Sequence, residues 1–130
     1  MSEKLDLVRK KLEGFLEELY GKYEKHINAY SIKINSIDIV ITITTENNFI
    51  FILFIVPVEI KFKKSENIFA QLAEVNEISN FCKFNYDPEC EKVFLKVSLL
   101  GEYCSKEEFD SALMFIVSFL KQERFENILQ

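Results

Sequence analysis

The sequence is poor in glycine and in histidine. It contains three glycines, Gly14, Gly21 and Gly101, and no two of them lie close together. Loops that cradle phosphate groups need clustered glycines, so we expect neither a P-loop nor a dinucleotide-binding turn. The single histidine, His26, follows Lys25 near the predicted end of the first helix, where a cation suits the helix C-terminus. No nucleophile with an orienting third group can be identified for it, so we expect no catalytic residue.

Cysteine is also infrequent. Cys82, Cys90 and Cys104 are odd in number and widely spaced. Disulfide frameworks and zinc sites both need cysteines paired at short spacing, so we expect no disulfide, no metal and no cofactor. Free cysteine usually fills small apolar positions, and the pattern favours a reducing, cytoplasmic location. An enzyme that uses Cys82 or Cys104 as its nucleophile is the catalytic alternative, and it requires a thiol of lowered pKa.

Charge of one sign is not concentrated anywhere. The net charge is −5, with acidic and basic residues intermixed, so the sequence offers no basic face for nucleic acid and no polybasic segment for lipid. The most apolar run, Phe49–Val58, has about half the length of a membrane-spanning helix. The charged N-terminus shows no export signal. We therefore expect no nucleic-acid partner, no membrane partner, and one domain spanning residues 1–130.

What the sequence does have is a succession of clear hydrophobic patterns. Apolar residues three and four positions apart predict helices, and strict alternation predicts strands. The predicted elements are a helix at 3–25, strands at 32–34, 37–44 and 49–62, a helix at 65–80, a hairpin at 81–99 and a helix at 105–120. The order α-β-β-β-α-β-β-α predicts an α+β class with a single, mainly antiparallel sheet and helices packed on it.

Particular residues mark the ends of these elements. Asn47 and Asn48 favour a turn between two strands, because asparagine tolerates positive φ. Ser65 is a good N-cap for the second helix, and Asn80 can end that helix in a left-handed conformation. Ser105 and Glu108 form the pattern of a capping box for the last helix. Its predicted core stripe is Phe109, Ala112, Leu113, Ile116, Val117 and Leu120.

The stretch from residue 72 to residue 99 resembles the YbjN family, which has the fold of the type III secretion (Tir) chaperones. The residues that carry the resemblance are Val75-Asn76, Ile78-Ser79-Asn80, Lys83-Phe84, Tyr86-Asp87 and Val93-Phe94-Leu95. The resemblance implies a domain that often dimerises and has an exposed apolar surface able to hold another polypeptide. It carries no catalytic signature and names no partner.

The sequence also contains more apolar residues than one covered sheet face requires. The strand at residue 49 is apolar on both faces, which predicts a central strand covered twice. The residues that we expect to load a second sheet face are Val40, Ile50, Ile52, Phe54, Val56 and Phe94. On the last helix, Met114, Phe115 and Phe119 exceed a single core stripe. This surplus is buried within the monomer, or closes a homodimer, or lines a groove for a peptide.

We therefore predict a non-enzymatic, cytoplasmic polypeptide-binding module, chaperone-like or adaptor, that forms a homodimer. The predicted interface residues are Phe94, Met114, Phe115 and Phe119. The alternative is a regulatory domain that binds a small ligand in a cavity lined by some of the thirteen phenylalanines. Asn76 lies among apolar neighbours on the second helix and is either an exposed residue or a polar group that fixes register.

Overall fold

A computed structural model describes residues 2–58, 68–77 and 81–121. The elements are α1 (Ser2–Leu19), β1 (Glu24–Lys25), β2 (Ala29–Ile34), β3 (Ile37–Glu46), β4 (Phe49–Val58), α2 (Ile68–Asn76), β5 (Lys83–Asp87), β6 (Lys92–Leu100) and α3 (Lys106–Leu120). The α+β class and the element order are confirmed, with the two-residue strand β1 added between α1 and β2. The predicted N-cap Ser65 and the left-handed conformation predicted for Asn80 lie outside the described residues, but α2 already ends at Asn76, before the predicted helix end.

The six strands form one antiparallel sheet in the order β1-β2-β3-β4-β6-β5. The central strand β4 pairs with β3 on one side and with β6 on the other, so that Phe54 lies opposite both Ile41 and Val97. Strands β5 and β6 form the predicted hairpin, in which Phe84 lies opposite Leu95. Because side chains alternate along a strand, this register places every second residue of each strand on a common face.

Tight turns join β2 to β3 and β3 to β4. Both turn residues have positive φ in each case: Asn35 and Ser36 in the first turn, and Asn47 and Asn48 in the second. Two successive residues of positive φ are typical of the type I′ turn, whose twist matches that of antiparallel strands. The turn predicted at Asn47 and Asn48 is confirmed.

The first helix is shorter than its hydrophobic spacing predicted. Gly21 has φ +70°, and its amide donates to the carbonyl of Leu16 across 3.0 Å, which closes the last turn of α1. The chain then continues as β1, so Tyr23 and Ile27 match the helical spacing without being helical. His26 consequently lies in the turn between β1 and β2 and not at a helix end. Its amide donates to the carbonyl of Ala29 at 2.8 Å.

Helices α1 and α3 lie on the same face of the sheet, which we call the covered face. The ring of Phe109 on α3 contacts both Phe54 on β4 and Phe15 on α1, with ring centroids 5.4 and 5.5 Å apart. The strand residues of this core are Tyr30, Ile32, Ile39, Ile41, Ile50, Ile52, Phe54, Val56, Phe84, Val93, Leu95 and Val97. Burial of this much aliphatic and aromatic surface is the main force that holds the two layers together.

The connection from β6 to α3 is tightly packed. Gly101 donates its amide to the carbonyl of Ile50 at 2.7 Å, and a Cβ at this position would lie 3.1 Å from the Val8 side chain. The capping box then begins α3, because the amide of Glu108 donates to Oγ of Ser105 at 3.1 Å. The predicted core stripe of α3 is buried, except that Leu120 is half-buried.

The edge strand β5 is held by the side chain of Asn76 at the end of α2. Nδ2 of Asn76 donates to the carbonyl of Phe84 at 3.0 Å, and the amide of Phe84 donates back to Oδ1 of Asn76 at 2.6 Å. Nζ of Lys83 donates to the carbonyl of Asn76 at 2.9 Å, where a helix end favours a cation. Asn76 is therefore a half-buried polar group that fixes register, and not an exposed residue.

Candidate functional site

The sheet face opposite α1 and α3 is not covered by any helix in the described part of the chain; we call it the uncovered face. Its centre is an apolar stripe along β4, made by every second residue of that strand. The stripe consists of Phe49, Phe51, Leu53, Ile55 and Pro57. The inner three are half-buried and the outer two are exposed, so the stripe presents apolar surface to solvent.

The neighbouring strands extend this apolar surface. On β3, Val40 lies directly opposite Ile55. On β6, Phe94 lies opposite Pro57 and Leu100 lies opposite Phe51, and Leu100 is 46% exposed. Contiguous apolar areas on water-facing sheets are typical of interaction surfaces.

One part of the expected second face is wrong. Ile50, Ile52, Phe54 and Val56 point to the covered face, where each is at most 2% exposed. The alternate residues of β4 form the stripe instead, while Val40 and Phe94 do lie on the uncovered face as predicted. The strand is central, but the described helices cover one of its faces and not both. All ten residues of β4 except Pro57 are aliphatic or aromatic, so its own pattern does not distinguish the two faces.

An open cleft of about 440 Å³ lies on the uncovered face beside the β5–β6 hairpin. It is lined by Ile55, Asn85, Tyr86, Asp87, Pro88, Phe94 and Lys96. Lys96 lies between Ile55 on β4 and Lys83 on β5, so two lysines occupy directly opposite strand positions. The lining of the cleft therefore combines apolar side chains with one cation, Lys96, and one carboxylate, Asp87.

The predicted interface residues do not form a single patch. Phe94 lies on the uncovered face, whereas the other three are on α3, which packs on the opposite side of the sheet. Met114 and Phe115 are 41% and 39% exposed, and the ring of Phe115 meets that of Phe81 edge to face at 5.2 Å. Phe119 is 3% exposed and stacks between Phe115 and Phe84, so it belongs to the chain's own core. The interface role of these residues remains a prediction.

Cys82 and Cys104 are buried and show no sign of activation, whereas Cys90 is exposed. Burial raises the pKa of the Cys82 thiol to about 12. Burial and the nearby carboxylate of Glu108 likewise raise the pKa of Cys104. A thiol whose pKa is raised stays protonated near neutral pH, and the protonated form is the weaker nucleophile. Both side chains fill apolar positions of the core, as the sequence predicted for them.

The other candidate groups serve the structure. Nε2 of His26 lies 3.0 Å from Oγ of Ser31 and both groups are on the surface. Within the core, phenylalanine rings such as Phe54 and Phe109 pack against one another, which does not favour a Phe-lined ligand cavity. None of the helices in the described part of the chain is long and apolar enough to span a membrane.

Comparison with known proteins reveals the fold. No protein-family model matches the sequence, and no curated protein matches it either. The structure is similar to the ExsC–ExsE complex, with a TM-score of 0.67 at 18% identity over 97% of this chain and 95% of the matched chain. It is similar to YbjN from E. coli, a candidate transcription regulator, with a TM-score of 0.68 at 18% identity over 93% and 94% of the two chains.

A third similar structure is a complex of the Yersinia pestis type III secretion chaperone SycH with a stable fragment of YscM2. Its TM-score is 0.61 at 16% identity, and the match covers 85% of this chain and 94% of the other. Sequence identities this low are evidence of a shared fold and not of a shared partner. The chain has the fold of YbjN and of the type III secretion chaperones, which is the resemblance that residues 72–99 had indicated.

Proposed function

We propose that this chain is a non-enzymatic polypeptide-binding module, a chaperone or an adaptor, that acts in the cytoplasm as a homodimer. The observation that carries the proposal is the apolar stripe of the uncovered face. It runs the length of the central strand, and its inner residues are half-buried while Phe49 and Pro57 at its ends are exposed. A partner polypeptide that covered this stripe would remove a large apolar area from water, which is the main favourable contribution to protein association.

The structural comparisons support the same function. Two of the similar structures are complexes, one of ExsC with ExsE and one of a secretion chaperone with a fragment of YscM2. The fold thus holds polypeptide partners in other proteins. The raised thiol pKa values of Cys82 and Cys104 argue against the enzymatic alternative.

The test places a charge in the stripe. Leu53→Asp puts a carboxylate at the centre of the uncovered face, away from the core, so the variant should fold while losing its partner. We would capture tagged wild type and variant from native lysate and identify the retained proteins by mass spectrometry. A partner retained by wild type and reduced at least about tenfold by Leu53→Asp would support the proposal.

The matched control is Leu7→Asp, which makes the same change at a leucine that is 66% exposed on α1, on the other side of the sheet. It should retain the partner. Equal retention by Leu53→Asp and wild type, with both folded by circular dichroism, would contradict a binding role for the uncovered face.

A further inference from the structure

The backbone pairing beneath the uncovered face restricts which kind of polypeptide can bind there. From Phe51 to Ile55 the central strand β4 pairs with β3 on one side and with β6 on the other, so the backbone groups along the stripe are already engaged within the sheet. A partner lying on this face can therefore make side-chain contacts but cannot be added as a strand. The stripe shields from water the backbone groups of such a partner that are turned toward it, and a single segment satisfies those groups internally as a helix.

The length of the stripe agrees with a helix. From Phe49 to Pro57 the strand rises about 27 Å, given about 3.4 Å per residue. A helix of about 18 residues has the same length at 1.5 Å per residue. Its apolar side would lie along β4, and one flank would then lie over β6. On that flank the uncovered face has Phe94, Lys96, Ser98 and Leu100.

Lys96 is the charged residue of this flank, and its ammonium group takes part in no contact that stabilises the described fold. It is half-buried between Ile55 and Lys83, and within the described residues it has neither an ion-pair nor a hydrogen-bond partner. The ammonium of Lys83 is engaged by the carbonyl of Asn76. The next positions along the same cross-strand row, Ile55 and Val40, are apolar. No neighbouring carboxylate in the row balances this cation.

We infer that the uncovered face binds an amphipathic helix of a partner polypeptide whose acidic side chain pairs with Lys96. The inference rests on the proposed function and adds the chemistry of the partner. The apolar stripe supplies the contact area, and Lys96 selects helices that carry Asp or Glu on the flank facing β6. A charge at the rim of an apolar contact contributes to specificity and register as well as to affinity.

The test uses a displayed library of 18-residue peptides. Each has an apolar helical stripe, and its flanking positions vary among Glu, Gln and Lys. Selection on the full-length protein should enrich Glu on one flank. Circular dichroism should show that a selected peptide gains helicity on binding, and fluorescence anisotropy would give its Kd for wild type and variants.

Charge reversal identifies the pair. Lys96→Glu should weaken a selected peptide by about tenfold, and changing the peptide's enriched Glu to Lys should restore the affinity. Lys92→Glu is the matched control, because Lys92 lies on the same strand and the same face but outside the cleft lining. It should leave the Kd unchanged within about twofold.

Other outcomes would separate the two ideas. Suppose that Leu53→Asp abolishes binding, but the selected peptides show no preference for acidic flanks or bind Lys96→Glu as tightly as wild type. The uncovered face then binds peptides, and the proposed role of Lys96 is wrong. If they bind without gaining helicity, the helical partner is wrong. If no peptide binds, or if Leu53→Asp has no effect, the proposed site fails together with the inference.

Discussion

At the scale of single residues, the side-chain amide of Asn76 makes the two hydrogen bonds to β5 that the backbone of a neighbouring strand would make. One donor and one acceptor on the amide match the carbonyl and the amide of Phe84, which is the pair of bonds that a neighbouring strand residue would make. The same contact joins α2 to the sheet, because Asn76 ends α2 while Phe84 belongs to β5. A polar residue surrounded by apolar helix positions is thus the link between two elements.

Asn76→Ala should lower the free energy of unfolding by about 2 kcal/mol, since it removes two hydrogen bonds at a half-buried position. Urea titration followed by circular dichroism would measure the change. Asn85→Ala is the control, because Asn85 is exposed on the uncovered face of the same strand, and it should cost less than about 0.5 kcal/mol.

Asn76→Asp sharpens the same test. The introduced carboxyl can accept from Phe84 at any pH, but it can donate to the Phe84 carbonyl only when it is protonated. Its destabilisation relative to wild type should therefore be smaller at pH 3 than at pH 7. A loss that did not depend on pH would mean that the side chain acts through its shape and not through its hydrogen bonds.

At the scale of elements, α1 is tied to the sheet and to α3 by polar contacts that surround its apolar stripe. Oε1 of Glu13 accepts from the hydroxyl of Tyr30 at 2.9 Å and pairs with Nζ of Lys25 at 2.6 Å. Toward α3, the hydroxyl of Tyr20 donates to Oδ1 of Asp110 at 2.9 Å. These contacts orient a helix whose attachment energy comes mainly from the buried side chains Val8, Leu12 and Leu16.

The contact at Glu13 predicts a dependence of stability on pH. Hydrogen bonds from Lys25 and Tyr30 lower the pKa of the Glu13 carboxyl below its ordinary value. A carboxyl whose pKa is lower in the folded state stabilises the fold above its unfolded pKa, and this contribution is lost as the pH falls through the folded pKa. The difference in unfolding free energy between wild type and Glu13→Gln should therefore be constant near neutral pH and shrink below about pH 4.

Urea titrations between pH 3 and pH 7 would measure this difference. Glu46→Gln, a change of the same charge at the exposed end of β3, provides the comparison. If the Glu13→Gln difference stayed constant down to pH 3, the pair with Lys25 would not contribute to stability in solution.

At the scale of the whole molecule, the two exposed apolar regions lie on opposite sides of the sheet. The uncovered face is one, and the exposed side of α3 with Met114, Phe115 and the adjacent Phe81 is the other. This separation allows one region to hold a partner while the other joins two copies of the chain. The proposed homodimer and the proposed partner would then not compete for the same surface.

Phe115→Glu should convert the proposed homodimer to a monomer, because a charge in an apolar contact between two copies must be desolvated at both symmetry-related positions. Sedimentation equilibrium at micromolar concentration would measure the mass. The variant also loses the contacts of Phe115 with Phe81 and Phe119, so circular dichroism must show that it is folded. Leu7→Glu should leave the mass unchanged, and a folded Phe115→Glu of wild-type mass would contradict the interface.

Much of the architecture could be read from local patterns. The alternation of β3 and β6, the asparagine turn and the capping box at Ser105 each depend on neighbours in the sequence, and each is confirmed. The errors occurred where the pattern was degenerate or where the partner was distant. Tyr23 continued the helical spacing past Gly21, although the positive φ of that glycine ends α1.

The candidate site was the less predictable part. The two faces of β4 are equally apolar, so its own pattern does not show that Phe54 faces the helices and Leu53 faces solvent; its register against the alternating strands β3 and β6 does. The register against β3 follows from the tight turn at Asn47 and Asn48, whereas the register against β6 joins residues more than forty positions apart, such as Phe54 and Val97, which local periodicity does not encode. The same holds for Lys96, whose isolation depends on what lies opposite it on β4 and β5.

The outermost strand at each edge of the sheet offers little backbone to a further strand. At one edge β1 has two residues, and at the other the amide of Asn76 occupies backbone groups of β5. Open edges are where sheets recruit other chains into aggregates. If the uncovered face holds partner polypeptides as proposed, the short outermost strands would limit the addition of those polypeptides to the sheet as aggregating strands.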